Sequence, residues 1–115
     1  MSKHYNWVVN AGSDSTRGFR VVDANGDPID AKSYTARMQV RPYLSSKTVS
    51  DDLTTENGRI TMGDGGVITA VLTHIATASY PFCEGVYDME IVSPNGDVTR
   101  VVEGRMIVRK EVTRE

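Results

Sequence analysis

The stretch Tyr34-Thr35-Ala36-Arg37-Met38-Gln39-Val40-Arg41 alternates between two faces. Tyr34, Ala36, Met38 and Val40 point one way; Thr35, Arg37, Gln39 and Arg41 point the other. A two-residue period of this kind marks a half-buried antiparallel strand. Pro42, which has no N–H to donate, ends it. Val86-Tyr87-Asp88-Met89-Glu90-Ile91-Val92 alternates likewise. It leads through Ser93-Pro94-Asn95-Gly96-Asp97 into Val98-Thr99-Arg100-Val101-Val102. Asn-Gly between two such runs signals a hairpin, because both residues tolerate positive φ. A two-residue loop sets Ile91 opposite Arg100 and puts a charge on the apolar face. A loop of Pro94, Asn95 and Gly96 instead pairs Met89 with Val101, Glu90 with Arg100 and Ile91 with Thr99. A one-residue slip inverts the burial pattern, so the second register is predicted, with Gly96 left-handed.

Asn25-Gly26 and Asn57-Gly58 predict two further turns with left-handed glycines. Asp51–Thr55 and Arg59–Met62 flank the latter. His4–Asn10, Arg17–Val22 and Val67–Thr73 read as strands. Gly104 is expected to kink the last strand, leaving Arg105–Arg109 as a final piece. His74–Tyr80 is the one helical turn, stopped by Pro81. The pattern predicts an all-β chain, a single antiparallel β-sandwich of seven to nine short strands, with a partly open barrel as the alternative. Its expected core holds Tyr34, Met38, Val40, Ile60, Ile68, Val71, Tyr87, Met89 and Ile91.

The chain has 115 residues, one domain's worth, with 39% hydrophobic and 24% charged residues, which argues against wholesale disorder. Its net charge of -2 argues against a nucleic-acid partner, which calls for a basic surface. The longest uncharged stretch, Gly65–Cys83, is rich in Thr, Ser and Gly, so no membrane span is expected. Met1–Tyr5 carries no apolar run behind a basic start, and no signal peptide is read there. The single cysteine, Cys83, excludes an intramolecular disulfide and is expected to be a half-buried apolar side chain. Residues 1–50 carry a charge of +3 and residues 51–115 carry -5, a polarity that suits head-to-tail association.

Candidate chemistry is sparse. Asp23-Ala24-Asn25-Gly26-Asp27 begins like a calcium loop, but Pro28 occupies the position that needs glycine and Tyr34 the one that needs Glu. It reads as a three-residue hairpin turn. Gly63-Asp64-Gly65-Gly66 has no following Lys-Ser/Thr and precedes a strand, so it cradles no phosphate. His4, His74 and Cys83 stand alone, without the close ligand spacing of a zinc site or the motif of a nucleophile. Asp51-Asp52 and the pair Asp88 and Glu90 are acids, but Asp88 and Glu90 share one solvent face and do not oppose each other across a cleft. No catalytic, cofactor-binding or metal-binding residue is expected. The ends remain. Residues 1–6 and 110–115 read as short arms that a core does not need, and arms stay disordered unless a neighbour holds them. Tyr5, Trp7, Tyr43, Arg109, Lys110 and Arg114 are the candidate partner contacts.

Leu53-Thr54-Thr55-Glu56-Asn57-Gly58-Arg59-Ile60, Gly85–Glu90, Ser93–Arg100, Val102–Arg105 and Glu111–Arg114 together resemble a family of small virion proteins of tailed bacteriophages. Asp23–Asp30 followed by Tyr34–Arg37 looks like the "G-x-P-I-D-L-x-G-Y" stretch of these proteins. That stretch is similar to the N-terminal domain of phage baseplate upper proteins, with Ala31 where Leu is usual and Ser33 where Gly is usual. The resemblance implies an immunoglobulin-like sandwich. It implies a non-enzymatic virion structural protein, made in the host cytoplasm, whose partners are copies of itself and other virion proteins. The expected station is the tail, collar or baseplate, as an adaptor anchoring fibres. A capsid decoration protein is the alternative. A host-glycan-binding module is a further one, in which Trp7, Tyr34, Tyr43, Tyr80 and Tyr87 are rings able to stack on sugars, although Tyr34 and Tyr87 fall on inward faces.

Overall fold

Alternation dictates strands along most of the chain, and the computed structural model, which describes residues 3–110, builds nine of them. They are β1 (Lys3–His4), β2 (Trp7–Asn10), β3 (Ser15–Arg20), β4 (Thr35–Arg41), β5 (Asp51–Thr54), β6 (Ile60–Met62), β7 (Val67–Leu72), β8 (Glu84–Val92) and β9 (Val98–Arg109). One helix, α1 (His74–Ser79), sits between β7 and β8. The Thr73 hydroxyl caps it by accepting from the Ala76 N–H.

The larger sheet runs β1-β9-β8-β4-β5, with β2 following β1 along the same edge of β9; the smaller runs β3-β7-β6. The order β9-β8-β4-β5 against β3-β7-β6 reproduces the G-F-C-C′ and B-E-D sheets of a variable-type immunoglobulin sandwich. The fold is therefore an all-β, immunoglobulin-like sandwich. It is not antiparallel throughout. β1 and β2 run parallel to β9, while the other pairs are antiparallel. After β2 the chain crosses to the opposite sheet, so no hairpin fixes its direction, and it fills the open edge of β9.

The hairpin between β8 and β9 has the expected three-residue loop. Ser93 N–H donates to the Asp97 carbonyl, Gly96 has φ +90°, and Glu90 and Ile91 face Arg100 and Thr99. Met89 does not face Val101. A bulge between Met89 and Glu90 moves its partner to Val102, and both valines become buried. The same turn recurs at Asp23–Asp27, where Asp23 N–H donates to the Asp27 carbonyl and Gly26 has φ +84°. Asn57-Gly58 closes no hairpin, because β5 and β6 lie in different sheets. The Asn57 side chain instead ties the crossing, accepting from the N–H of Thr54 and Arg59 and donating to the Asp52 carbonyl.

Met38, Val40, Ile60, Ile68, Tyr87, Met89 and Ile91 are buried as expected, joined by Trp7, Leu53, Ala70, Leu72, Val102 and Met106. Two core expectations fail. Tyr34 is only half-buried at the rim, and Val71 lies on the outer side of β7. The inner set of β7 is Ile68, Ala70 and Leu72, so Val71 is out of phase with Ile68 by the two-residue period.

The N-terminal arm also departs from expectation. Lys3 and His4 pair with Val102 and Glu103, and the Tyr87 hydroxyl donates to the Tyr5 carbonyl. Residues 3–6 thus belong to the sandwich edge, while 111–115 lie outside the described residues. Gly104 does not interrupt β9; the break falls in the partner strand. Pairing stops at Tyr5-Asn6 and resumes at Trp7 with the same offset, because the Tyr5 carbonyl crosses directly over Gly104. A Cβ there would overlap the Tyr5 backbone. Gly104→Ala is expected to cost about 1–3 kcal/mol in urea unfolding through overpacking. Amide exchange at residues 3–10 should accelerate. Unchanged stability together with unchanged exchange would show that the edge accommodates the methyl group.

Candidate contact surface

The period that buries one face of β4, β8 and β9 turns the other outward, and that outer face carries charge. Arg37 Nε donates to Glu90 Oε1 at 3.0 Å. Arg100 meets Asp88 at 3.5 Å and Glu103 at 3.6 Å, and Arg105 meets Glu84 at 2.9 Å. All of these charges but Glu84 line an open concavity of about 640 Å³. Burial, opposed by Arg100 and reinforced by Glu90 and Glu103, pushes the Asp88 carboxyl above its ordinary value.

One rim of the concavity is Leu44, in the loop of residues 42–50 that joins β4 to β5. That loop is tied from within. Ser46 is buried; its hydroxyl donates to the Thr48 carbonyl and accepts from the Thr48 N–H, and its own N–H donates to the Tyr43 carbonyl. Arg41 Nη1 donates to the Ser46 carbonyl at 2.6 Å, and Ser50 N–H donates to the Val40 carbonyl. With its base held, the loop projects two apolar side chains into solvent: Tyr43 is 60% exposed and Leu44 85%. A large apolar pair on a braced loop is a surface suited to contact.

The six sequence-predicted contact residues do not gather there. Tyr43 is on the projection. Trp7 is wholly buried, donating from Nε1 to Ser15 Oγ at 2.9 Å, so it belongs to the core and offers no exposed surface. Its place after a polar arm hid its position at the start of β2, with its side chain turned into the sandwich. Tyr5 is half-buried against Phe19, ring centroids 5.8 Å apart. Arg109 is exposed at the far end of β9, opposite Asn10. Lys110 Nζ donates to the Tyr80 carbonyl at 2.9 Å, so its charge already has an acceptor inside the chain. Arg114 lies outside the described residues. Sequence reasoning missed Leu44, although two large side chains in succession between Pro42 and Ser45 carry the signal.

Other candidates fall in different places. Cys83 is exposed rather than half-buried. His74 is not alone: its Nδ1 lies 3.0 Å from Asp14 Oδ1, which also accepts the His74 N–H. His4 sits on the edge strand β1. Of the rings considered for sugar stacking, Trp7, Tyr80 and Tyr87 are buried and Tyr34 is half-buried, leaving Tyr43 exposed. Asp51 is an interior group. Arg59 Nη1 and Nη2 reach its two oxygens at 3.0 and 2.9 Å, and the Tyr80 hydroxyl donates to Oδ2 at 2.6 Å. Burial pushes the Asp51 carboxyl up, but the Arg59 guanidinium and Tyr80 hydroxyl outweigh it and hold it below its ordinary value. Burial and the Asp51 charge push the Tyr80 phenol well above its ordinary range.

No family model and no curated protein matches the chain. Among solved structures, a chain from work on T-cell specificity and activation by the bacterial superantigen toxic shock syndrome toxin-1 is similar at 11% identity. It has a TM-score of 0.48, with 92% of each chain covered. Extracellular domains 3–5 of Drosophila OTK are similar at 9% identity and a TM-score of 0.38, over 90% of this chain and 32% of that one.

Proposed function

We propose that the protein is a non-enzymatic structural component of a tailed-phage virion, an adaptor in the tail, collar or baseplate that anchors fibres or neighbouring tail proteins. It is made in the host cytoplasm and carried in the particle. The observation that supports this reading best is the braced projection of Tyr43 and Leu44 beside an open concavity of paired charges. Contact is what such a surface offers: an apolar anchor, a polar surround, and a loop base whose ordering is already complete before binding. The resemblance of the turn and strand patterns to those of small virion proteins supplies the setting.

The double substitution Tyr43→Ser, Leu44→Ser tests it. Both side chains are exposed, so stability should stay within about 0.5 kcal/mol of wild type. Copy number in purified particles, read by quantitative mass spectrometry, should fall sharply. Wild-type incorporation would remove the projection from assembly. Absence of the chain from purified particles would overturn the virion reading itself. A copy number in the hundreds would move the protein from the tail to the shell.

A further inference from the structure

A second surface lies at the opposite edge, where β1 of the large sheet passes β3 of the small one. Lys3, His4, Tyr5, Arg17, Gly18, Phe19 and Arg20 line a groove of about 300 Å³ there. No carboxylate is among these lining residues. The Tyr5 and Phe19 rings, packed edge to face, form its apolar part. Lys3, Arg17 and Arg20 are exposed around it.

Among the described residues β3 pairs only with β7, so none of them forms a strand on its other edge. Lys3 Nζ reaches the Arg20 carbonyl at 3.1 Å, which shows that this carbonyl points to the open side. Strand geometry repeats every second residue, so the N–H and C=O of Gly18 point the same way. Gly18 also has no side chain to shield them.

We propose that this groove binds an extended acidic peptide segment of a neighbouring protein, which adds as a strand to β3 and sets its carboxylates against Lys3, Arg17 and Arg20. Two observations select this occupant. The cationic lining selects negative charge. The open backbone of β3 selects a chain able to supply alternating donors and acceptors, which a bare polyanion does not. The groove's chemistry does not depend on a virion setting, and the test below needs no particle. Its failure therefore leaves the adaptor reading standing, and loss of the adaptor reading leaves the groove standing.

The probe is a blocked octapeptide alternating Glu with Val, titrated into the full-length ¹⁵N-labelled protein at low salt. Amide shifts are expected to centre on Thr16, Gly18 and Arg20. Arg17→Glu with Arg20→Glu should weaken binding by about tenfold or more, whereas Lys47→Glu on the far loop should leave it unchanged. All three residues are exposed, and unchanged melting confirms folding. Rising salt should weaken binding. A peptide of the same sequence with alternate backbone nitrogens methylated keeps the charge and loses the pairing, so it should fail to bind. Equal binding of that peptide, or of a short oligonucleotide, would mean a general polyanion site and overturn the strand. Dimerisation of the free protein, abolished by Arg17→Glu, would assign the groove to a second copy and also overturn the proposal. So would the absence of shifts at the β3 edge.

Discussion

Trp7→Ala should remove about 3–5 kcal/mol of stability, among the largest losses open to a single substitution here. Trp7 has no exposed surface. Its ring meets Phe19 at 6.1 Å and Tyr87 at 6.0 Å, both edge to face. Because β2 belongs to the large sheet and β3 to the small one, the bond from Trp7 Nε1 to Ser15 also joins the two layers. Alanine forfeits the buried area, leaves a cavity and frees the Ser15 hydroxyl. A domain of this size has about 5–15 kcal/mol in total, so the variant should approach unfolding at body temperature. Trp7→Phe keeps an aromatic ring and should lose clearly less. Urea unfolding of the three proteins checks the order. A loss below about 1 kcal/mol for Trp7→Ala would mean that the edge repacks around the gap.

Asp51→Ala should be comparably severe, about 3–5 kcal/mol, for an electrostatic reason. The side chains of Asp51 and Arg59 are only 10% and 21% exposed, and removing one ion strands the other. Arg59 Nε keeps its bond to the Val71 carbonyl, so the guanidinium cannot simply swing out to water. The triple replacement Asp51→Leu, Arg59→Met, Tyr80→Phe removes the ion pair and the phenol together, leaves only the Val71 carbonyl and the Asp52 N–H to find new partners, and should retain most of the stability. The acid response follows from the sign of the shift. Asp51 titrates lower in the folded chain than its ordinary 3.8. Its contribution is therefore complete above that value and is lost as pH falls through the lower folded one. Wild type should lose this increment in strong acid, and the triple variant should not. Parallel pH profiles for the two would exclude Asp51 as the cause.

Much of the sandwich is legible because half-buried strands write their faces at a two-residue period. β4 and β8 read directly, and so does the turn at Pro94–Gly96. What failed depends on relations between distant segments. The bulge at Met89 is invisible locally, since Val101 and Val102 are both apolar and either satisfies the pattern. The parallel docking of Trp7 on Met106 leaves no mark in either segment. Gly104 was legible as an anomaly, but it announces close passage of another strand rather than a bend in its own. The candidate surface was half legible. Tyr43 stands out as an aromatic in a loop, but the bracing by Ser46 and Arg41 is tertiary. Asp51 read as one of two adjacent acids, and only the fold separates it from Asp52 by turning it inward against Arg59.

The pairing of the first strands with the last has a consequence for synthesis. Trp7 and Val9 find their partners in Met106 and Val108, almost a hundred residues later. A ribosome adding about 5–20 residues per second keeps those side chains waiting for roughly 5–20 s. During that time the widest aromatic surface of the chain has no sheet to enter, and β8 lacks one of its two neighbours. In vectorial folding the arrival of β9, which completes β8 and receives β1 and β2, is expected to come last. A nascent chain halted before Met106 should be protease-sensitive throughout the large sheet, and it is at this stage that a chaperone would have something to hold.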